Sequence, residues 1–205
     1  MTTEGEYLVS MEASEEISLY FEESARTLRA THEICSSDIL HAATQMVDAI
    51  RRGGKIMLCG NGGSAADAQH CAAELVGRLS KNFERPAIPA IALTTDTSFL
   101  TAYTNDYGFA GLFARQIEAL GKSEDVLILI STSGNSDNLC RAAVVAKERG
   151  IHSIGLLGGD GGRLISMVDS AVVVPSSHTG HVQECHGAII HILCSLIERK
   201  LFAVR

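Results

Sequence analysis

The chain has 205 residues, 46% of them hydrophobic and 20% charged, with a formal net charge of -7 and a pI near 5.6. That balance describes an ordinary globular chain, read as one domain with a sizeable core. The acid excess argues against nucleic acid as the main partner, since the only basic cluster is Arg51, Arg52 and Lys55, and no apolar run approaches the roughly 20 residues needed to span a bilayer.

Residues 1–9 show neither the basic start nor the apolar centre of a secretory leader. The six cysteines form no CxxC pair and mostly sit inside apolar patterns. They read as small buried hydrophobes rather than a disulfide framework. Together these features point to the cytoplasm.

In chain order, residues 10–33 read as a helix, with Ile17, Phe21, Ala25 and Leu28 at helical spacing. Residues 36–52 read as a second helix, stopped by Gly53 and Gly54. A sheet does not need two helices ahead of its first strand, so residues 1–53 are expected to be a helical extension that packs in an oligomer. The α/β core then runs from 54 to 205. Its first strand is 55–60, followed by a helix over 64–79 and a polar connection over 81–89. A second strand covers 90–94. Residues 95–105 read as a loop with a short helix, and 109–120 as another helix. The run DVLILIS, 125–131, is continuous and apolar, the pattern of a strand buried on both faces. A helix over 137–149 ends at Gly150. A fourth strand at 151–157 leads into a surface loop at 158–162. The fifth strand is Ser170–Val174, and a long helix over 181–201 closes the chain. Strands alternating with helices predict a three-layer αβα sandwich around a mostly parallel five-stranded sheet, with the ligand at the carboxyl ends of the strands.

Two strand-to-helix turns carry the chemistry. After the first strand come Gly60, Asn61, Gly62, Gly63 and Ser64, where glycine lets a ligand approach the backbone closely. The helix that follows carries His70 and Glu74, one turn apart on one face. After the third strand comes Ser131-Thr132-Ser133-Gly134-Asn135-Ser136. Ser136 alone would serve as a helix cap, but a cap does not account for Ser131, Thr132 and Ser133. Amides and hydroxyls at a helix N-terminus suit a phosphate. No Gly-Lys-Ser/Thr follows, so the turn is not a P-loop, and the first turn lacks the third spaced glycine of a dinucleotide site. His191 lies among Ile189, Ile190, Ile192 and Leu193, where an unpaired histidine would be a costly buried polar group. His178, His181, Cys185 and His186 read as chance clustering rather than a metal site.

The runs CGNGGSAADAQHCAAELVGR, ISTSGNS and HVQECHGAIIHIL resemble the sugar isomerase (SIS) superfamily, in the family's order and spacing. Within it the chain is similar to bacterial phosphoheptose isomerases, which convert sedoheptulose 7-phosphate to a heptose 7-phosphate. The resemblance runs from about Lys55 to Leu201 and implies a flavodoxin-like fold and a tetramer. It implies that Asn61, Gly62, Gly63 and Ser64 contact the sugar phosphate, and that Ser131, Thr132, Ser133 and Ser136 cradle its phosphate. It makes Arg78 a basic residue near the site, and Asp106 and Gln183 substrate contacts. His70, Glu74, Gln183 and His191 match the catalytic and metal-binding set, which holds zinc in some members. Glu74 is then the base and His191 the acid of an enediol isomerisation. Gly180 stands where some members carry an acid, and Ala65 where some carry histidine, so a second-carboxylate role has no support from those positions.

Isomerisation of a ketose to an aldose needs a base for a weakly acidic C–H and an acid for the oxygens, tasks that suit a carboxylate and an imidazole. Gln183 and His191 are eight residues apart on one helix, a rise of about 12 Å. Their joint use is therefore expected to need groups from different subunits, in an active site shared across an oligomer interface. Two other readings remain. One is a non-catalytic SIS binding module, similar to a replication-initiator-associating protein that lacks counterparts of Glu74 and His191. The other is an isomerase of a different sugar phosphate.

Overall fold

A computed structural model describes the backbone of residues 4–202 and the side chains of residues 12–202. The reading of residues 1–9 lies outside the described side chains. Five parallel strands, β1 (Ile56–Gly60), β2 (Ala90–Ala92), β3 (Val126–Ser131), β4 (His152–Gly158) and β5 (Ser170–Val174), form one sheet in the order β2-β1-β3-β4-β5. Every pairing is parallel, with Ile56 opposite both Ala90 and Val126. The mostly parallel sheet of the sequence reading is thus parallel throughout.

Alternate residues of the strands feed two cores, as a period of two requires. Ile56, Leu58, Ile128, Ile154 and Leu156 face one layer of helices: α1 (Glu4–Arg51), α2 (Gly63–Val76) and α6 (Thr179–Phe202). Met57, Cys59, Leu127, Leu129 and Leu157 face the other layer, formed chiefly by α4 (Leu112–Leu120) and α5 (Asp137–Glu148). Phe99, Leu100 and Tyr103 of α3 (Thr97–Tyr107) pack onto that second core. All six cysteines are buried and free.

The two expected N-terminal helices are one continuous helix of 48 residues. Residues 10–52 contain neither glycine nor proline to break it. Ser36, expected to open a second helix, instead donates its hydroxyl to the His32 carbonyl one turn back. Cys35, Ile39, Ala42, Ala43, Met46, Val47 and Ala49 lie in the core, so the second half of α1 is part of the sandwich rather than an addition to it. Four further boundaries differ from the sequence reading. β2 has three residues, although Leu93 still donates to the Leu58 carbonyl. The segment expected as a loop with a short helix is the eleven-residue α3, whose Asp96 cap accepts from the Phe99 amide. Phe109–Gly111 is a 3₁₀ turn that leads into α4. α2 ends at Val76 rather than 79.

Candidate active site

The strand order reverses between β1 and β3, and at such a switch the turns leaving adjacent strands open a crevice. The two turns that the sequence singles out meet there. A cavity of about 100 Å³ is lined by Asn61 and Ser64 from one turn, and by Ile130, Ser131, Thr132, Ser133 and Ser136 from the other. Gly62 precedes α2 at φ 55, a conformation that glycine adopts without penalty. Ser136 occupies the N-cap position of α5 but makes no side-chain capping bond. Among the described residues its hydroxyl has no partner, so it is open to a ligand rather than spent on a cap. Ser131 Oγ accepts from the Gly134 amide at 3.1 Å and Ser133 Oγ from the Asn135 amide at 3.3 Å, so both hydroxyl hydrogens remain to donate.

The loop at 158–162 does more than the surface connection read from sequence. It packs against the Ser131–Ser136 turn: a Cβ on Gly134 (φ 64) would lie 3.0 Å from the Gly162 nitrogen, and one on Gly162 (φ 54) would lie 2.7 Å from Asn135 Nδ2. Leu164 also donates to the Gly134 carbonyl. The glycines let two backbones touch, and the contact props the hydroxyl-bearing turn from behind.

α2 and α6 lie side by side and run in the same direction, since residues 63, 70 and 71 of one meet 183, 191 and 194 of the other. Gly63, Asp67, His70 and Glu74 form one stripe along α2, at helical spacing. Near its start, the Gln183 amide fills the space where Gly63 lacks a side chain. Further along, His70 Nε2 and His191 Nε2 are 2.8 Å apart with their rings edge to face, and Glu74 Oε1 is 3.8 Å from His70 Nε2. Cys71 and Cys194 lie buried beneath the two histidines. At the far end of α2, the buried Arg85 donates to the Glu74 and Leu75 carbonyls and to Glu198 of α6, which closes the pair of helices.

His191 is on the exposed side of α6, not among its apolar neighbours as its sequence context suggests. His70 and His191 meet within one chain, so the two imidazoles need no second copy, and the argument from helical rise now applies to Gln183 alone. Arg78 and Asp106 are not gathered at this point. Arg78 is exposed and paired with Glu84, and Asp106 is exposed in the last turn of α3, where it accepts from the Asn105 amide.

The donor set at this point suits zinc. Among the described residues, no three or more His, Cys, Asp or Glu side chains already form a metal cluster. His70 and His191 nevertheless turn Nε2 toward a common point beside a carboxylate, a nitrogen-and-oxygen set of the kind found in catalytic zinc sites. Two nitrogens on a tetrahedral zinc lie about 3.4 Å apart, so the pair needs to open by about 0.6 Å. The residues fit.

Two side chains that sequence reasoning passed over take part. Asp67 lies on the α2 stripe. Burial pushes its carboxyl pKa up, against the pull of the Gln183 amide and of His70, and its Oδ2 is buried with no partner among the described residues. Asn138, 3% exposed, exchanges two hydrogen bonds with Asn61. The i, i+4 spacing of Gly63 and Asp67 was visible in the sequence, whereas nothing local marks the Asn61–Asn138 pair. His178 and His181 do come together, with ring centroids 4.1 Å apart, but His181 serves to tie α6 to α1 through Glu184 and Tyr20.

The family profile described as "SIS domain" matches residues 19–158. The chain belongs to the SIS domain family. It is 56% identical over 178 residues to a phosphoheptose isomerase from a Nitratiruptor species, covering 87% of this chain and 94% of that one. Among solved structures, the SIS domain superposes on phosphoheptose isomerase GmhA from Neisseria gonorrhoeae with a TM-score of 0.85 at 44% identity, covering 90% of this chain and 98% of that one. It also matches a phosphoheptose isomerase from Francisella tularensis, with a TM-score of 0.88 at 39% identity and coverage of 91% and 98%.

Proposed function

We propose that this chain is a phosphoheptose isomerase, an aldose–ketose isomerase that converts D-sedoheptulose 7-phosphate to D-glycero-D-manno-heptose 7-phosphate. The observation that carries the reading is the α2 stripe. It starts at an anion-sized cavity of amides and hydroxyls and ends where His70, His191 and Glu74 converge. From Ser64 to His70 the helix rises about 9 Å. A seven-carbon chain with bonds of about 1.5 Å bridges a comparable distance, so a phosphate at one end leaves the carbonyl end at the histidines. The relatives' names support the same substrate.

Asn61, Ser64, Ser131, Thr132, Ser133 and Ser136 hold the phosphate, and the backbone at Gly62 and Gly63 lies open to the sugar. Glu74 removes a proton from C1 of the ketose as O2 takes one up, which gives the enediol. Return of the proton to C2, with loss of the O1 proton, leaves the aldehyde. His191 serves the oxygens, and Gln183, packed against Gly63 at the start of the stripe, orients the sugar chain. His70, Glu74 and His191, with Gln183 from a neighbouring copy, would hold zinc, which supplies Lewis-acid polarisation of the sugar carbonyl when bound. A Glu74 bound tightly to metal would be a poor base, so Glu74 acts as the base only when it is free of the metal.

The enzyme is proposed to act as a cytoplasmic homotetramer built from a single SIS unit. Supporting assembly, Ile17, Leu19 and Phe21 of α1 are exposed, and an apolar groove of about 260 Å³ lies between α1 and α6. Neighbouring copies are then the source of side chains that one chain leaves apart, Arg78 and Asp106 among them. Among the described residues no helix is long and apolar enough to cross a membrane. The test is NMR of the products from sedoheptulose 7-phosphate and a panel of other ketose phosphates. Glu74→Gln and His191→Ala are expected to abolish turnover without unfolding the chain. Full activity in either removes the assigned roles, and turnover of another ketose phosphate alone reassigns the substrate.

A further inference from the structure

The phosphate cavity is built from two turns that leave separate strands, β1 and β3, and no covalent link sets the distance between them. Asn61 and Asn138 span that gap. Asn61 Nδ2 donates to Asn138 Oδ1 at 3.0 Å, and Asn138 Nδ2 donates to Asn61 Oδ1 at 2.8 Å. Asn138 is the second residue of α5, is 3% exposed and lies outside the lining of the cavity, whereas Asn61 is part of that lining. We propose that Asn138 is a positioning residue: through its paired amide it holds Asn61, and with it the whole β1–α2 turn, at the spacing that makes one phosphate cradle of two turns.

The chemistry of the amide supports this role. A primary amide has two N–H donors and an acceptor oxygen. The reciprocal pair uses one N–H and the oxygen of each partner. It leaves Asn61 a second N–H for the cavity that it lines. Rotating either amide alone would set oxygen against oxygen and nitrogen against nitrogen, so each fixes the other. Because Asn138 is buried, breaking the pair strands its amide rather than returning it to water. Behind Asn138, the turn that precedes α5 is propped by the 158–162 loop, so the fixed side of the pair is the α5 side. The bridge therefore works in one direction, with α5 placing Asn61.

This inference rests on the sugar-phosphate reading, and its test uses inorganic phosphate so that binding is read apart from turnover. Phosphate affinity would be measured by calorimetry for the wild-type chain, Asn138→Ala, Asn61→Ala and the double variant. KM, kcat and melting temperature would be measured alongside. Each single variant is expected to weaken phosphate about tenfold, the worth of one hydrogen bond to a charged group. The double variant should be no weaker than the poorer single one, because both remove the same bridge. KM rises with the loss of phosphate affinity while kcat changes little. Asn138→Asp keeps the shape but sets a carboxylate oxygen against the Asn61 oxygen, and should bind phosphate more weakly than Asn138→Ala. If Asn138→Ala does not fold, Asn138→Ser replaces it in the same cycle. Unchanged phosphate affinity with only a lower melting temperature overturns the proposal, as do strictly additive losses. A wild-type chain that binds phosphate and isomerises the sugar keeps the functional reading even then. A wild-type chain that does neither overturns both.

Discussion

Replacing Gly63 by alanine should push stability and activity in opposite directions. Gly63 is the first residue of α2 and its φ is not positive, so alanine adopts its backbone without strain. Substitution there removes freedom from the unfolded chain and should stabilise the fold by about 0.4–1 kcal/mol. The new methyl would, however, sit 2.6 Å from Gln183 Cδ. Carbon atoms rest about 3.5–4.0 Å apart, so the amide must retreat by about 1 Å. Gln183 is the flexible end of a side chain, and its retreat costs the fold little. At a site that depends on placement, a 1 Å error costs about 100-fold in rate. The assay pairs NMR-detected isomerisation with thermal melting. In a Gln183→Ala background, Gly63→Ala should have almost no further effect on rate. A Gly63→Ala enzyme as active as wild type, beside an impaired Gln183→Ala enzyme, would refute the reasoning. So would a large loss of stability in Gly63→Ala.

Three further outcomes follow from the same geometry. Glu198→Ala leaves Arg85, whose side chain is wholly buried, without its counter-charge, and should cost about 3–5 kcal/mol in denaturant unfolding; a cost below about 1 kcal/mol would mean that water reaches the guanidinium. Gly134→Ala brings a Cβ to 2.5 Å from the Gly161 carbonyl carbon at a φ of 64, so phosphate affinity should fall together with melting temperature, and retained affinity would remove the propping role of the 158–162 loop. His186 is fully buried and donates to the Leu157 carbonyl, and burial lowers its pKa from 6.5 to about 4. The unfolded chain therefore takes up this proton first as pH falls. The penalty is absent above pH 6.5, grows between 6.5 and 4, and levels off below at about 3 kcal/mol. His186→Leu should flatten that part of the stability profile, and an unchanged acid slope would assign it to other groups.

The winding of the sheet was legible because β1 and β3 are short, continuous apolar runs followed by glycine or hydroxyl turns, signals that local sequence carries well. The continuity of α1 was not. Ser36 looks like a cap, and only its bond back to His32 shows that it continues the helix. The length of α3 was missed because Asp96 is a modest cap in a stretch rich in threonine. At the site, the spacing of His70 and Glu74 was visible, but the side chain they meet, His191, is 121 residues from His70. Its apolar neighbours suggested burial, yet those neighbours occupy other faces of α6. Asn61 and Asn138, 77 residues apart, share no local signature. Such meetings depend on how elements pack, which no window of sequence records. Arg78 and Asp106 remain apart for the opposite reason: their relevance came from resemblance alone.

The cavity between the two turns is lined by amides, hydroxyls and one isoleucine, none of which titrates. A grip of that kind keeps the same character across the working pH range, so the protonation event at that end belongs to the guest. A phosphate monoester gives up its second proton near pH 6. Affinity on the acid side should accordingly track the ionisation of the sugar ester itself, whatever the enzyme's own groups are doing at the other end.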